Sequence, residues 1–286
     1  MSLSSRTNEK LAFTFIGLSM LTVVASVLII LYFIISNGYT ALSWEFLTSM
    51  PRSRMTEGGI FPAIVGTVLL IVFSMLASLP MGVLAAIYLN EYSKPGRFKW
   101  AIEMAINNLA GTPSVVFGLF GLALFVRYFG FGSSVIAASL TLGILVLPVI
   151  VRASQEALLS VPMEYRHASL ALGVSRWETV RKIVLPTALP GIVTGSILSI
   201  GRVAGETAPI LFTGAAYFIP QLPSSIFDRF MALPYHLYVL ATDGVDIEGT
   251  RHIQYGTALV LLLVVLGVNT IAILIRRHYR RKLRLG

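Results

Sequence analysis

Six stretches of the chain are apolar almost without a break: Leu11–Ile35, Ile60–Leu89, Ala101–Val126, Ser134–Val151, Ala188–Gly214 and Tyr255–Ile275. A bilayer core about 30 Å thick needs about 20 mostly apolar helical residues to cross it, so the pattern predicts six membrane-spanning helices. Several of these stretches hold Gly or Pro (Pro80, Gly111, Pro113, Pro148, Pro209). Membrane helices tolerate both where neighbouring helices re-satisfy the freed backbone groups. Leu11–Ile35 outruns the apolar core of about 7–15 residues found in secretory signals, and no small-residue cleavage site follows it. It reads as a retained first span.

Composition agrees. Of 286 residues, 56% are hydrophobic and 12% charged, and the mean hydropathy is +0.80. A soluble domain carries about 25% charged residues, so the composition argues against a soluble enzyme and excludes intrinsic disorder. There is no cysteine, which removes disulfides, zinc–cysteine sites, iron–sulfur clusters and thiol nucleophiles. The net charge of +9 is settled by its distribution. With six spans both termini share a side, and that side holds 16 of the 22 Lys and Arg residues against 5 opposite, Arg202 lying within a span. By the positive-inside rule the richer side is cytoplasmic. The expected fold is an all-α six-span membrane bundle with both termini cytoplasmic. It divides into residues 1–10 inside, one domain over 11–275, and a basic tail over 276–286. The basic charge is then a topology signal, and nucleic acid is not needed as a partner.

Residues 152–187 form the long cytoplasmic connection. Pro162 suits the first turn of a helix continuing to Leu172, and Gly173 suits the position just past its end. Ser175-Arg-Trp-Glu178 has the spacing of a capping box, predicting a second helix from Arg176 to about Val184 that Pro186 ends. Ala168 to Arg181 also imitates a DNA-binding helix-turn-helix. Spans begin and end within a few residues of it, so it could hardly enter a major groove. An exposed amphipathic hairpin carrying Leu170, Leu172, Trp177 and Ile183 calls for a partner groove instead.

His167-Ala-Ser, three residues, Gly173, nine residues, then Ile183-Val-Leu-Pro186 resembles the EAA loop of ABC importer permeases, Glu-Ala-Ala-x3-Gly-x9-Ile-x-Leu-Pro. The resemblance implies a type I importer permease bundle. Its hairpin would seat in a cleft of an ATPase subunit, with Tyr165, His167, Ala168, Leu170, Leu172, Gly173 and Pro186 at the contact. His167 stands where that family has Glu, and Ser169 where it has the second Ala, so a contact made by that Glu is not carried over.

Arg202 and Glu206 fall inside the fifth predicted span. An ionisable group at mid-membrane costs about 2.5–3.5 kcal/mol on insertion scales, so its presence needs a reason. At about 100° per residue, Gly191, Gly195, Ser199, Arg202 and Glu206 fall within one face of about 80°. Small residues on that face suit helix packing, and the charges therefore point into protein or a water-filled path. The pair could merely neutralise itself, although Arg before Glu is the less favourable order on a helix. Alternatively Arg202 meets a crossing anion: its planar fork of donors suits a tetrahedral oxyanion, with Glu206 holding the fork until the anion arrives. The third span offers Glu103, Asn107, Asn108 and then Gly111-Thr112-Pro113-Ser114, where Gly and Pro loosen the helix. Asn107, Thr112 and Ser114 are path candidates there. Glu103 reads equally as an interfacial carboxylate, and the two asparagines as ordinary interhelical hydrogen bonders.

Gly58-Gly-Ile-Phe-Pro-Ala-Ile-Val-Gly-Thr67, Leu109-Ala-Gly-Thr-Pro-Ser-Val-Val-Phe-Gly118 and Gly205-Glu-Thr-Ala-Pro-Ile-Leu-Phe212 resemble the phosphate-specific ABC permeases. The last, with Leu233-Pro-Tyr-His-Leu-Tyr238, is more similar to the PstA type than to the PstC type. The resemblance implies an inorganic phosphate path that includes Thr207 beside Arg202 and Glu206, in a bacterial or archaeal cytoplasmic membrane. It also implies a PstC-type second permease, a PstB-type ATPase dimer holding ATP and Mg, and a PstS-type phosphate-binding protein outside. In agreement, the chain has no Gly-x4-Gly-Lys-Ser/Thr loop, no catalytic triad and only scattered histidines, so neither catalytic nor metal-ligating residues are assigned. The outer segment from about 215 to 254 is too long for a tight turn, and Phe230–Ala241 fits an interfacial segment better than a seventh span. The tail Arg276–Arg284 suits anionic lipid. The rivals are an ABC permease for sulfate, molybdate or another oxyanion, and a secondary carrier. A carrier would call for inverted repeats, and none is evident.

Overall fold

The computed structural model describes residues 2–244 and 246–284, with side chains for 8–244 and 246–277. The basic residues expected beyond 277, and Arg6, therefore have side chains outside the described set. Twelve helices follow in order: α1 Ser2–Gly38, α2 Trp44–Thr48, α3 Phe61–Ile87, α4 Arg97–Ala110, α5 Ser114–Gly121, α6 Val135–Leu159, α7 Met163–Ala171, α8 Arg176–Thr179, α9 Leu185–Gly205, α10 Ala208–Thr213, α11 Leu233–Thr242 and α12 Arg251–Arg284. Among the described residues the sheet content is one small antiparallel hairpin, Pro51–Arg52 with Glu57–Gly58, on the α1–α3 connection.

Among the described residues five helices are long and apolar enough to span a bilayer, and α4 with α5 makes a sixth if that pair, bent by 104°, is one crossing. Packing decides this. Gly143 of α6 lies against Ser74 and Ser78 of α3, and Gly82 of α3 against Ile150 of α6. Contacts that advance together along both chains make α3 and α6 parallel, so α4–α5 between them must carry the chain across. The third span, expected over Ala101–Val126, is thus present but sharply broken at Gly111–Pro113. Pro113 is extended (ψ 142°) and withholds a backbone donor. In turn α9 runs antiparallel to α6, with Gly191 against Ala157 and Gly195 against Ala153, so the predicted small-residue face does pack on a helix. Gly38, ending α1, meets Tyr255 at the start of α12, and Arg276 near the other end of α12 bonds Thr194 (3.1 Å). Both α1 and α12 therefore have their chain-terminal ends at the α7–α8 end of the bundle.

The core centres on α3, α6 and α9, with Leu70, Leu142, Leu145, Val146, Val203 and Ile210 packed together. The most apolar window of α1 buries none of its residues against the rest of the chain, as befits a helix facing lipid. At the opposite end from the hairpin, the outer segment folds back. Phe230 to Leu233 are almost fully buried, and Leu233 N–H donates to Thr67 Oγ1 of α3 (2.9 Å). The helix there has ten residues and starts at Leu233 with Pro234 in its first turn, so it caps the bundle and is no seventh span.

Candidate functional site

The fifth span does not run to Gly214 as one helix. It ends at Gly205, Glu206 is extended (φ −74°, ψ 127°), and α10 restarts at Ala208 with Pro209 in its first turn. The reason is local: in a continuous helix the Pro209 ring would collide with the Gly205 carbonyl. Arg202 and Glu206 are therefore not two positions on one helical face, since Glu206 caps the helix C-terminus. They do meet, Arg202 Nε donating to Glu206 Oε1 at 3.2 Å, with side chains 35% and 17% exposed. Among the described residues that is the guanidinium's only hydrogen bond, so both Nη groups, four N–H donors, stay open. Thr207, in the break, is partly buried.

The two broken spans touch just beyond their breaks. A methyl group on Gly118 of α5 would come within 3.0 Å of Pro209 Cα and 3.1 Å of the Ala208 carbonyl on α10, so glycine is required for this approach. Ser114, one turn before Gly118 at the start of α5, is partly buried. Thr112 is partly buried, its hydroxyl donating to the Asn108 carbonyl at 2.9 Å. It contributes the one polar side chain to a groove of about 460 Å³ lined by Leu109, Val116, Phe117, Phe120 and Ile144. Asn107 does not join Arg202. Its Oδ1 accepts from Arg152 Nη2 at 2.6 Å, while Arg152 Nη1 donates to Gln155 Oε1 at 3.0 Å, a tie between α4 and α6. Glu103 stands 4.0 Å from Lys99 on the same helix, which fits the interfacial alternative.

The hairpin is as expected in outline and different in one respect. Pro162 precedes α7 and Leu172 caps it; Gly173 has φ +79°, the left-handed conformation in which a side chain is strained. Val174 N–H donates to the Ser169 carbonyl and Gly173 N–H to that of Leu170, a Schellman closure. Ser175 Oγ accepts from Glu178 N–H at 3.3 Å. The Glu178 carboxylate bonds Lys182 at 2.9 Å; Lys182 first, and Ser175 after it, hold its pKa below the usual carboxylate value. Pro186 does not end the second helix. Residues Arg176–Gly205 form one continuous helix, because Val180–Val184 makes a π turn whose wider winding accommodates Pro186 just after it. Tyr165, Leu170, Leu172 and Trp177 are 51%, 47%, 84% and 54% exposed, and His167 and Ala168 are exposed too. Ser169, where the family pattern has Ala, is buried and shares a 2.8 Å hydrogen bond with Thr179, pinning the two helices together.

A buried ion pair beneath the hairpin has no local signal in the sequence: Glu91, in the π turn Tyr88–Tyr92 that closes the second span, with Arg166 of α7. The signals available were a lone acid in Tyr88-Leu-Asn-Glu-Tyr92 and a basic residue on the hairpin, 75 residues apart, and nothing local joins them.

Residues 78–285 match the family described as binding-protein-dependent transport system inner membrane component. The chain belongs to that family. Among relatives of the permease, a probable ABC transporter permease protein of Bacillus subtilis, YqgI, is 35% identical, covering 94% of this chain and 95% of its own. The phosphate transport system permease protein PstA 1 of Mycobacterium tuberculosis is 36% identical over 100% of this chain and 92% of its own. PstA of Haemophilus influenzae is 35% identical over 73% of each. In fold, the permease is similar to a bacterial alginate ABC transporter (TM-score 0.64, 15% identity, covering 96% and 99%) and to the MetNI methionine transporter in inward-facing form (TM-score 0.57, 20% identity, covering 77% and 94%). The permease is thus a multi-pass membrane subunit of the ABC importer class.

Proposed function

We propose that this permease forms half of the path of an ATP-driven importer of inorganic phosphate. The observation that carries the reading is Arg202, a permanent cation at a helix break, held through one nitrogen with its Nη donors open. A bidentate fork of this kind matches a tetrahedral oxyanion. The PstA names of relatives at 30–36% identity favour phosphate over sulfate or molybdate. Arg202 meets the anion, Glu206 holds the guanidinium in place, and Thr207, Thr112 and Ser114 supply hydroxyls along the way. Asn107 lines the path less directly, through its tie to Arg152.

The other parts follow the family's division of labour. A PstC-type permease supplies the second half, and a PstS-type binding protein delivers phosphate outside. A PstB-type ATPase dimer holds ATP and Mg, and this chain binds no cofactor itself. Tyr165, His167, Ala168, Leu170 and Leu172 form the ATPase contact, with Gly173 and Pro186 shaping the hairpin. Both termini and the hairpin face the cytoplasm of a bacterial or archaeal cell, in keeping with 16 of the 22 basic residues lying at that end. ATP closing the ATPase dimer moves the hairpins and rocks the spans about the central path.

The test is labelled phosphate uptake in cells whose single high-affinity route uses this permease, with excess sulfate or molybdate as competitor. Uptake that depends on the chain and ignores the competitors supports phosphate; strong competition assigns another oxyanion to the same site.

A further inference from the structure

The coupling hairpin meets the membrane spans at one buried polar node. Arg166 Nη2 donates to Glu91 Oε1 at 2.7 Å and to the Leu158 carbonyl at 2.9 Å, Nη1 donates to the Val161 carbonyl at 2.8 Å, and Nε reaches both Glu91 oxygens at 3.3 Å. Its partners belong to different elements. Glu91 lies in the π turn Tyr88–Tyr92 that closes the second span; Leu158 and Val161 end the fourth. The Leu158 carbonyl also accepts from Val161 N–H (3.3 Å), so the guanidinium adds a charge-assisted bond there and supplies a donor to the Val161 carbonyl just past the helix end. The two charged side chains are only 10% and 8% exposed, among Leu89, Leu158, Val161 and Val180. A planar fork of fixed donors holds three elements in one geometry, which a lysine ammonium on a flexible stem would not.

The hairpin itself is stiffened by the Gly173 closure and by Ser169–Thr179. On its far side it continues as unbroken helix into α9. Among the described residues, no side chain of 163–179 other than Arg166 hydrogen-bonds outside the hairpin. Motion of the hairpin therefore reaches the fifth span along a helix backbone and the fourth along the short 160–162 connection, while Arg166 ties both to the second span, with Arg176 over the Tyr92 ring (5.3 Å) beside it.

We propose that Glu91–Arg166 is a coupling joint, making the cytoplasmic ends of the second and fourth spans move with the hairpin when the ATPase displaces it. Both are positioning residues. The proposal rests on reading the 162–186 hairpin as the ATPase contact.

The first test uses the complete transporter in proteoliposomes, with import and ATP hydrolysis measured together. In Glu91→Gln, hydrolysis continues within about twofold while anion imported per ATP falls about tenfold or more, the scale of a lost coupling free energy. An unchanged ratio overturns the joint. Where Glu91→Gln does not assemble, Glu91→Asp keeps the charge, shortens the arm and is read the same way.

A second measurement needs no transported anion, so it stands apart from the phosphate assignment. The chain has no cysteine, so Tyr88→Cys and Glu164→Cys, both exposed, accept a unique pair of spin labels in a complex with cysteine-free partners. The expected label–label distance is the same in resting and ATP-trapped states, and becomes state-dependent once Glu91→Gln is added. A distance that changes in the otherwise native chain, or a variant that behaves like it, overturns the proposal.

Discussion

Two Arg–Glu pairs in this permease are built from the same chemistry and are opposite in circumstance. Arg166 under the hairpin spends donors on a carboxylate and two carbonyls and is buried with its partner. Arg202 at the break of the fifth span uses Nε alone, at 3.2 Å, with a third of its side chain exposed. A saturated, desolvated pair fixes geometry, because removing either member strands a charge. An unsaturated pair at a helix break has donors left for a ligand. The number of donors already engaged, more than the residue types, separates a joint from a binding group.

The largest effect that would sharpen this contrast is on stability. Arg166→Ala leaves Glu91 buried without its partner, and a loss of about 3–5 kcal/mol is expected, read as a drop in the unfolding midpoint of the purified complex. Arg202→Gln should leave that midpoint within about 1 kcal/mol of the parent, because the pair is part-exposed.

Burial without any partner offers a third case. His236 on α11, outside the spans, is 2% exposed, and among the described residues neither ring nitrogen has a hydrogen-bond partner. Desolvation lowers its pKa from 6.5 to about 4. Because the folded value is the lower one, the unfolded chain binds the proton first as pH falls through 6.5, and stability drains away down to pH 4. The loss amounts to about 3 kcal/mol. Unfolding followed by tryptophan fluorescence across that range should show the drop, and His236→Leu should flatten it.

On transport the order reverses. On the proposed reading, Arg202→Gln removes charge-assisted hydrogen bonds to the anion worth about 1.5–3 kcal/mol each, and the expected outcome is uptake lowered roughly a hundredfold with assembly intact. Wild-type uptake in that variant would make Arg202 a structural ion-pair member and erase the distinction between the two sites. The smallest effect is expected at Gly173→Ala. A left-handed residue with a side chain costs about 1–2 kcal/mol, confined to the hairpin, and weaker ATPase pull-down with normal membrane insertion would report it.

Much of this was legible along the chain. Bilayer thickness sets the length of an apolar run, so six crossings could be counted even though the third is bent by 104°. Gly173 announced its left-handed cap and Ser175 its bond to Glu178 because capping is settled within four residues. Pro186 misled for an instructive reason. A proline is a stop signal in a regular α-helix, but a π turn just before it changes the winding, and that turn has no clear local signature. The Arg202–Glu206 contact was expected, yet on a helical face that Pro209 in fact breaks.

What lay beyond the sequence was the choice of partners. Asn107 with Arg152, Gly118 with Pro209, and Glu91 with Arg166 each join residues that share no local pattern. Local rules act through missing N–H groups, backbone angles and apolar length, over a few residues, and they determined the spans, the hairpin and the position of a charge in the membrane. Which charge is neutralised and which stays open depends on which helix ends the packing of α3, α6 and α9 brings together. That is decided by the shape of the whole bundle, down to the glycines that let its helices approach.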